Sequence, residues 1–365
     1  MTPERDAFRR LRWEVECDSI PEARHDLSMN PRHFLPAALL FAVLTSFTSL
    51  RAVEFSMVEE ADGIAVKIDG ELFTKYVTAD PVTNKPYFYP VIGPTGKEMT
   101  RSYPMKDIEG EAHDHPHHRS LWFGHQFVNN FDTWHEELTL VERAKGDDAK
   151  LEELKKTLGA TRHREVLEAS ASGRRAVLKV ASDYLDPAGN VMASDVRTFI
   201  FSVAEDGSRV IDADFVFTGV ADSVVFADAK DAGLSIRVAH AMAVKSEQGG
   251  RIVTSTGFEG EEAWGKRAAW CDFNGPVDAK GGEVLGIAIL NHPSSLRHPT
   301  PWHARTYGLF TANPFGLKSV AGESEEAPVV LKKGETFIMR HRILLHRGDE
   351  KSAKISEAWT KYEKE

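Results

Sequence analysis

Alternation with a period of two runs through this chain from Val53 onward and restricts it to a β-rich fold. At 210–217, Ile211, Ala213, Phe215 and Phe217 fall on one side of an extended chain, and Asp212 and Asp214 fall on the other. That is the pattern of a half-buried strand. Residues 63–70 read as a strand ending at a turn, with 71–77 as its partner. Residues 175–184 and 191–203 flank the turn cluster Asp186-Pro187-Ala188-Gly189-Asn190, so they are expected to form a hairpin. Further strands are expected at 234–242, 284–290 and 336–345. Two helices interrupt the pattern. Over 147–158, Leu151, Leu154 and Leu158 make one stripe, and Gly159 follows as a C-terminal cap. Over 351–364, Ile355, Ala358, Trp359 and Tyr362 take the i, i+3, i+4, i+7 positions. Many strands, few helices and no βαβ rhythm predict a mainly-β antiparallel sandwich, large enough to be supersandwich-like, with a few peripheral helices. No internal repeat or low-complexity linker divides 53–365, which reads as one domain. Its hydrophobic content of 42% is sufficient for a sizeable core.

The first 52 residues read differently. Met29-Asn30-Pro31-Arg32-His33 is weakly basic, 34–47 is uncharged and mostly apolar, and small residues lead to a cut after Ala52. This is the order of a secretory signal peptide over 29–52, and its apolar run is short for a membrane-spanning helix. The charged residues 1–28 are then a start-site extension ahead of a true start at Met29; a buried N-terminal helix is the alternative. The product is expected to be periplasmic or secreted from a bacterium, with no membrane span after signal cleavage. A net charge of −10 speaks against a nucleic-acid partner. The two cysteines, Cys17 and Cys271, make no disulfide framework. Cys17 would leave with the processed segment, and Cys271 reads as a small buried apolar residue.

Chemistry concentrates in His113-Asp114-His115-Pro116-His117-His118-Arg119. If extended, His113, His115 and His117 share one face, a workable ligand set for a divalent metal, with Asp114 as ligand or orienting acceptor. Pro116 moves the segment from a central strand to an edge or loop. Histidines that only brace a loop are the plainer alternative. A second group spans Asn291 to Tyr307 and contains Arg297, His298, Trp302, His303 and Arg305. A third is Trp264-Gly265-Lys266-Arg267-Ala268-Ala269-Trp270. Tryptophan beside a cation suits a sugar ring and its hydroxyls or carboxylates, although core packing explains a tryptophan equally well. Arg101, Lys230 and Arg237 are further candidates, each with a salt bridge as the alternative. Glu98, Asp114, Asp231 and Glu262 lie near these motifs, but spacing alone does not pair carboxylates for glycoside hydrolysis. No nucleophile elbow, P-loop or dinucleotide-binding turn is present.

The run Tyr87-Phe88-Tyr89-Pro90-Val91-Ile92-Gly93-Pro94-Thr95-Gly96, then Thr100-Arg101, Asp114 to Trp122 and Val128-Asn129, resembles the family labelled PmoA-like, or methane oxygenase PmoA. The Trp264–Trp270 and Asn291–Asn313 segments also match, so the resemblance covers roughly Phe55 to Leu345. The methane monooxygenase subunit of that name spans the membrane several times, whereas no apolar run of that length follows residue 52 here. The resemblance therefore implies an exported bacterial protein that accompanies sugar dehydrogenases and carbohydrate-degrading proteins.

The expected activity is cleavage of a glycosidic C–O bond, by hydrolysis or by elimination from an oxidised keto-sugar. His115, His117, His118, Asp114 and His303 are the acid–base candidates. Arg101, Arg119, Trp122, Asn129, Trp264, Lys266, Arg297, Trp302 and Arg305 are the substrate-binding candidates, and a divalent metal on His113, His115 and His117 is the one cofactor considered. A non-catalytic carbohydrate-binding protein using Trp122, Trp264, Trp270 and Trp302 as platforms is the alternative. A copper-dependent oxidase is the remotest reading.

Overall fold

The computed structural model describes residues 53–278 and 280–365. The predicted start-site extension, the signal peptide and Cys17 lie outside the described residues. The chain opens with β1 (Phe55–Glu60), β2 (Gly63–Ile68), β3 (Glu71–Val77), β4 (Tyr87–Val91) and β5 (Leu121–His125). Helices α1 (Glu137–Ala144) and α2 (Asp148–Lys155) follow. Four long strands come next: β6 (Ala160–Ser172), β7 (Arg175–Leu185), β8 (Val191–Val203) and β9 (Arg209–Gly219). Then come β10 (Ser223–Phe226), β11 (Ala232–Arg237), β12 (Arg251–Thr254), β13 (Trp270–Pro276) and β14 (Val284–Asn291). The chain ends with β15 (Trp302–Arg305), β16 (Leu309–Ala312), β17 (Val329–Lys332), β18 (Thr336–Arg347) and α3 (Ile355–Tyr362).

The strands build two eight-stranded antiparallel sheets. The first has the order β1-β2-β3-β4-β5-β11-β16-β15, and the second β12-β13-β14-β18-β9-β8-β7-β6. Strands β10 and β17 form a separate ribbon. The sheets face each other across an aromatic core. Phe73 meets Phe201, Phe88 meets Phe199, and Phe123 meets Phe215, with ring centroids 5.9, 4.7 and 5.4 Å apart. Burying each such ring contributes about 1.5–3 kcal/mol. The alternation in β9 is realised as predicted. Ile211, Ala213, Phe215 and Phe217 are buried, while Asp212 and Asp214 pair outside with Arg342 and Arg340 of β18 at 2.6 and 3.4 Å. The fold is the predicted antiparallel β-sandwich.

Local boundaries depart from the sequence reading where tertiary contacts outweigh periodicity. Helix α2 ends at Lys155, and none of its residues is fully buried, so its leucine stripe is only half-covered. Gly159 caps nothing; a Cβ there would lie 2.8 Å from the Leu185 carbonyl, so glycine is needed for close approach to β7. Helix α1 has no side-chain N-cap and ends on a left-handed Lys145 rather than glycine, so the usual boundary signals are missing. The expected strand at 234–242 stops at Arg237, and His240–Met242 forms a single 3₁₀ turn. Cys271 is fully buried, and burial pushes its thiol pKa well up, which leaves it as the inert apolar residue expected. Among the described residues no helix is long and apolar enough to cross a membrane.

The two outer faces are used differently. Helix α3 covers that of the second sheet, with Ile355 and Tyr362 packed against Val210, Leu290 and Leu344. The first sheet's outer face carries a smaller cluster of Val77, Tyr87, Trp122, Trp134 and Leu309, with Met105 and Tyr307 packed on it. The histidine segment sits on this second cluster.

Candidate active site

Strand register aligns Tyr87, Trp122, Ser235, Thr311 and His303 in one row across the first sheet. A second row carries Arg237, Leu309 and Arg305. Their direction follows from their neighbours. Leu234, Ile236, Trp302 and Ala304 belong to the inter-sheet core, so Ser235, Arg237, His303 and Arg305 project from the opposite face.

Arg101 shapes the loop that delivers the histidines. Its buried guanidinium donates to the carbonyls of Tyr103, Ala112, Asp114 and His115 and to the Asp114 carboxylate at 2.6 Å. It is therefore a brace inside the loop rather than a substrate ligand, a correction to its predicted role. The brace holds His115 at φ 51°, a left-handed conformation that costs a non-glycine residue roughly 1–2 kcal/mol.

Asp114 organises the centre. It accepts from Arg101, from Arg237 at 2.7 Å and from His115 Nδ1 at 2.8 Å. Burial alone would raise its pKa, but the His115 hydrogen bond and the Arg237 and Arg101 charges outweigh that and hold it far below the carboxylate range. The His115 ring stacks on His118 at 4.8 Å and on Tyr307 at 4.9 Å, and His118 stacks on Trp122 at 5.3 Å. Four rings from the loop, β5 and the β15–β16 turn thus form one pile.

The proton positions of two of these rings are fixed by their partners. Arg237 can only donate to His118 Nδ1 (3.1 Å), so neutral His118 carries its proton on Nε2. His303 Nδ1 lies 2.8 Å from the Lys230 carbonyl, which can only accept, so His303 keeps a free lone pair on Nε2. Burial, reinforced by neighbouring cations, pushes His303 down to about 3 and places His117 and His118 well below the ordinary histidine value. A charge on His115 contributes to the lowering at His303, which places the two rings in one electrostatic neighbourhood. Burial likewise pushes the Tyr307 phenol up to about 12, so it remains a proton donor. Among the described residues, Nε2 of His115, His118 and His303 and the Tyr307 hydroxyl have no protein partner. His117 bonds through Nδ1 to Thr139 of α1 at 2.9 Å. A hollow of about 440 Å³ opens beside this face, lined in part by Lys75, Asp80, Tyr87, Tyr89 and Met105.

Several predicted members lie elsewhere. His113 stacks on Tyr103 and pairs with Asp107 at 3.0 Å, so His113, His115 and His117 do not converge. Among the described residues no group of three His, Cys, Asp or Glu side chains is spaced to hold a metal ion. Arg119 is buried against Glu136 (2.6 Å), which also binds buried Lys85 (2.6 Å), and it supports the site from behind. Trp122 is the buried floor of the ring pile. Trp302 is buried with its indole N–H on the Ala268 carbonyl, and Trp270 is buried beneath α3, so neither is a platform. Asn129 ties the chain to β10 through Ser223 and Val225. Lys266 lies over the Phe258 ring, and Arg297 donates to the carbonyls of Pro314 and Pro328. Of the second and third groups, His303, Arg305 and half-buried Trp264 join the site. Trp264 stands edge-on to His303 at 4.6 Å, and Arg305 lies over its ring at 4.7 Å.

Two central residues carried too little weight in the sequence reading. Arg237 is there a candidate with a salt bridge as its alternative, and Tyr307 marks only the end of the second group. The signal for Arg237 was present: it alternates with Leu234 and Ile236, which are core.

Fold and site together describe a large antiparallel sandwich with a polar, histidine-rich face on one sheet. The sequence profile of a family of unknown function, DUF6807, matches residues 63–360, and the chain belongs to that family. No curated protein matches it.

Proposed function

We propose that this protein is an exported, carbohydrate-active enzyme that breaks a glycosidic C–O bond by histidine acid–base chemistry. Elimination from a sugar activated by a carbonyl group, such as a keto-glycoside, is favoured over hydrolysis. The observation that carries this is the Asp114–His115 pair. Asp114 is a permanently ionised orienter, His115 donates Nδ1–H to it, and Nε2 is left to take a proton. Hydrolysis by a carboxyl pair needs one protonated and one ionised carboxyl; Asp114 can fill only the ionised role, and its oxygens are already taken by Arg101, Arg237 and His115. In the elimination, His115 removes the proton next to the carbonyl, and His303, held neutral by burial, lines the site with its free Nε2. Nε2–H of His118 and the Arg305 guanidinium stabilise the enolate oxygen, and Tyr307 protonates the departing oxygen. Half-buried Trp264 offers the ring face for a sugar. The signal-peptide pattern at 29–52 and the resemblance to PmoA-like proteins support export and a carbohydrate setting. The purely binding alternative is weakened because Trp122, Trp270 and Trp302 are buried.

The test is turnover of a panel of glycosides and 3-keto-glycosides by the wild type, His115→Ala and His303→Ala. Loss of a positioned general base lowers the rate roughly 10²–10⁴-fold. A folded His115→Ala/His303→Ala double variant with wild-type turnover would overturn the assignment.

A further inference from the structure

We propose that Arg305 anchors a carboxylate, so that the substrate of this face is an acidic sugar, a uronate glycoside; this inference rests on the elimination reading above. Arg305 is exposed on β15, two residues from His303 and on the same side of the strand. Its guanidinium lies over the Trp264 ring at 4.7 Å and the Tyr307 ring at 5.8 Å. Both rings pack against it, and among the described residues no acceptor takes its N–H groups, which match a carboxylate in two parallel hydrogen bonds.

The surrounding charges point the same way. Among the described residues no carboxylate lies within salt-bridge range of Arg305, and the acids of this face are already engaged. Asp114 is bound by Arg101, Arg237 and His115. Asp231 lies 3.6 Å from Lys230 and 3.8 Å from His303. With Glu111, which accepts from the Ser102 and Tyr103 backbone and whose charge reaches Arg101 and Arg237, Arg101, Arg237, Lys230 and Arg305 face three carboxylates, a small local excess of positive charge on a chain whose net charge is −10. Such a patch concentrates anionic ligands.

A uronate also supplies the activation that the elimination needs. Its carboxyl carbon is the carbonyl centre next to C5–H, and ion pairing with Arg305 removes the charge that would resist forming a carbanion there. His115 takes the C5 proton. The C–H electrons form the C4=C5 double bond, the C4–O4 bond breaks, and O4 receives its proton from Tyr307. No water or oxidant is consumed, and the product is an unsaturated uronate.

Glucuronic acid and glucose are the probes, with affinities measured by calorimetry and by tryptophan fluorescence. The wild type should bind glucuronic acid at least 10-fold more tightly than glucose. Arg305→Gln should abolish that preference, and Arg305→Lys should restore part of it. His115→Ala should keep the preference, since it removes the base and not the anchor. Failure of the wild type to bind glucuronic acid preferentially, or a preference retained in Arg305→Gln, overturns the inference. Neither result touches the turnover assay of His115→Ala and His303→Ala, which, with uronate glycosides added to the panel, decides the acid–base reading on its own.

Discussion

The two outer faces of the sandwich hold nearly the same kinds of residue and do opposite things with them. On the second sheet, His298, Arg340, Arg342, Trp359 and Tyr362 gather around α3. Arg342 is paired with Asp212 and Glu365, Arg340 with Asp214, His298 with the Asn291 side chain at 2.9 Å, and the Trp359 indole with the Asn291 carbonyl at 3.1 Å. On the first sheet, His115, His118, His303, Arg305 and Tyr307 each keep an unused nitrogen or hydroxyl. Histidine, arginine and aromatic residues become a site where the fold leaves bonding capacity unused and braces it from behind. Around α3 the arginines and the indole have their partners and the same residue types act as cement, although the buried Tyr362 hydroxyl is left without one.

The sharpest way to break this contrast is to remove the brace. Arg119 and Lys85 neutralise Glu136, and all three side chains are buried. Arg119→Ala breaks the buried pair with Glu136, leaving that carboxylate to Lys85 alone, and removes the 3.3 Å pair with Asp80; it should cost about 3–5 kcal/mol in denaturant unfolding. Arg342→Ala on the second face removes partly exposed pairs and should cost about 1 kcal/mol. Equal losses would mean that the first face has no special support.

The contrast also shows why composition alone could not assign residues to faces. Alternation in β9 and β18 was legible because an apolar face repeats every second residue, and it carried the fold class. The density of histidine at 113–118 was legible as well. The second cluster was not, because Arg297 and His298 are close in sequence to His303 and Arg305 yet belong to different surroundings. The chain turns at Arg297, which has φ 56°, and commits its guanidinium to backbone carbonyls before β15 begins. Trp302 and His303 are adjacent, but strand geometry sends one into the core and the other to the site. Arg101 stayed hidden for another reason. A loop brace is defined by carbonyls scattered over 103–115, and no side-chain pattern records them.

Acid acts with opposite sign on two sets of buried histidines. Burial lowers the folded pKa of His117, His118 and His303, so the unfolded chain binds protons that the native chain refuses. Their contribution is intact above about pH 6.5 and is lost as pH falls, roughly 1.4 kcal/mol per pH unit for each ring. His346 on the second sheet behaves oppositely. It is buried across Gly286, where a Cβ would strike its ring, and despite burial Asp272 at 2.7 Å raises its pKa. Its contribution is full below about pH 6.5 and disappears as pH rises through the folded pKa. Urea midpoints should therefore fall from pH 7 to 5 in the wild type, and His346→Asn should lose more stability at pH 5 than at pH 8. An equal loss at both would show that His346 is uncharged.

The smallest expected effect is the most discriminating for function. His298 resembles His115 on paper: its Nδ1 bonds an oxygen at 2.9 Å, and its ring stacks on an aromatic neighbour, Trp359, at 6.2 Å. Its partner is a neutral amide rather than a carboxylate held ionised by two arginines, and burial outweighs the Asn291 hydrogen bond and the Glu363 charge and lowers its pKa. Half-buried and on the wrong face, it should behave as a packing residue. His298→Ala should lower stability by about 1 kcal/mol, as for one lost hydrogen bond, and should leave turnover at the wild-type rate. A fall in turnover comparable to that of His115→Ala, with the fold intact by circular dichroism, would mean that the working face is the one beneath α3.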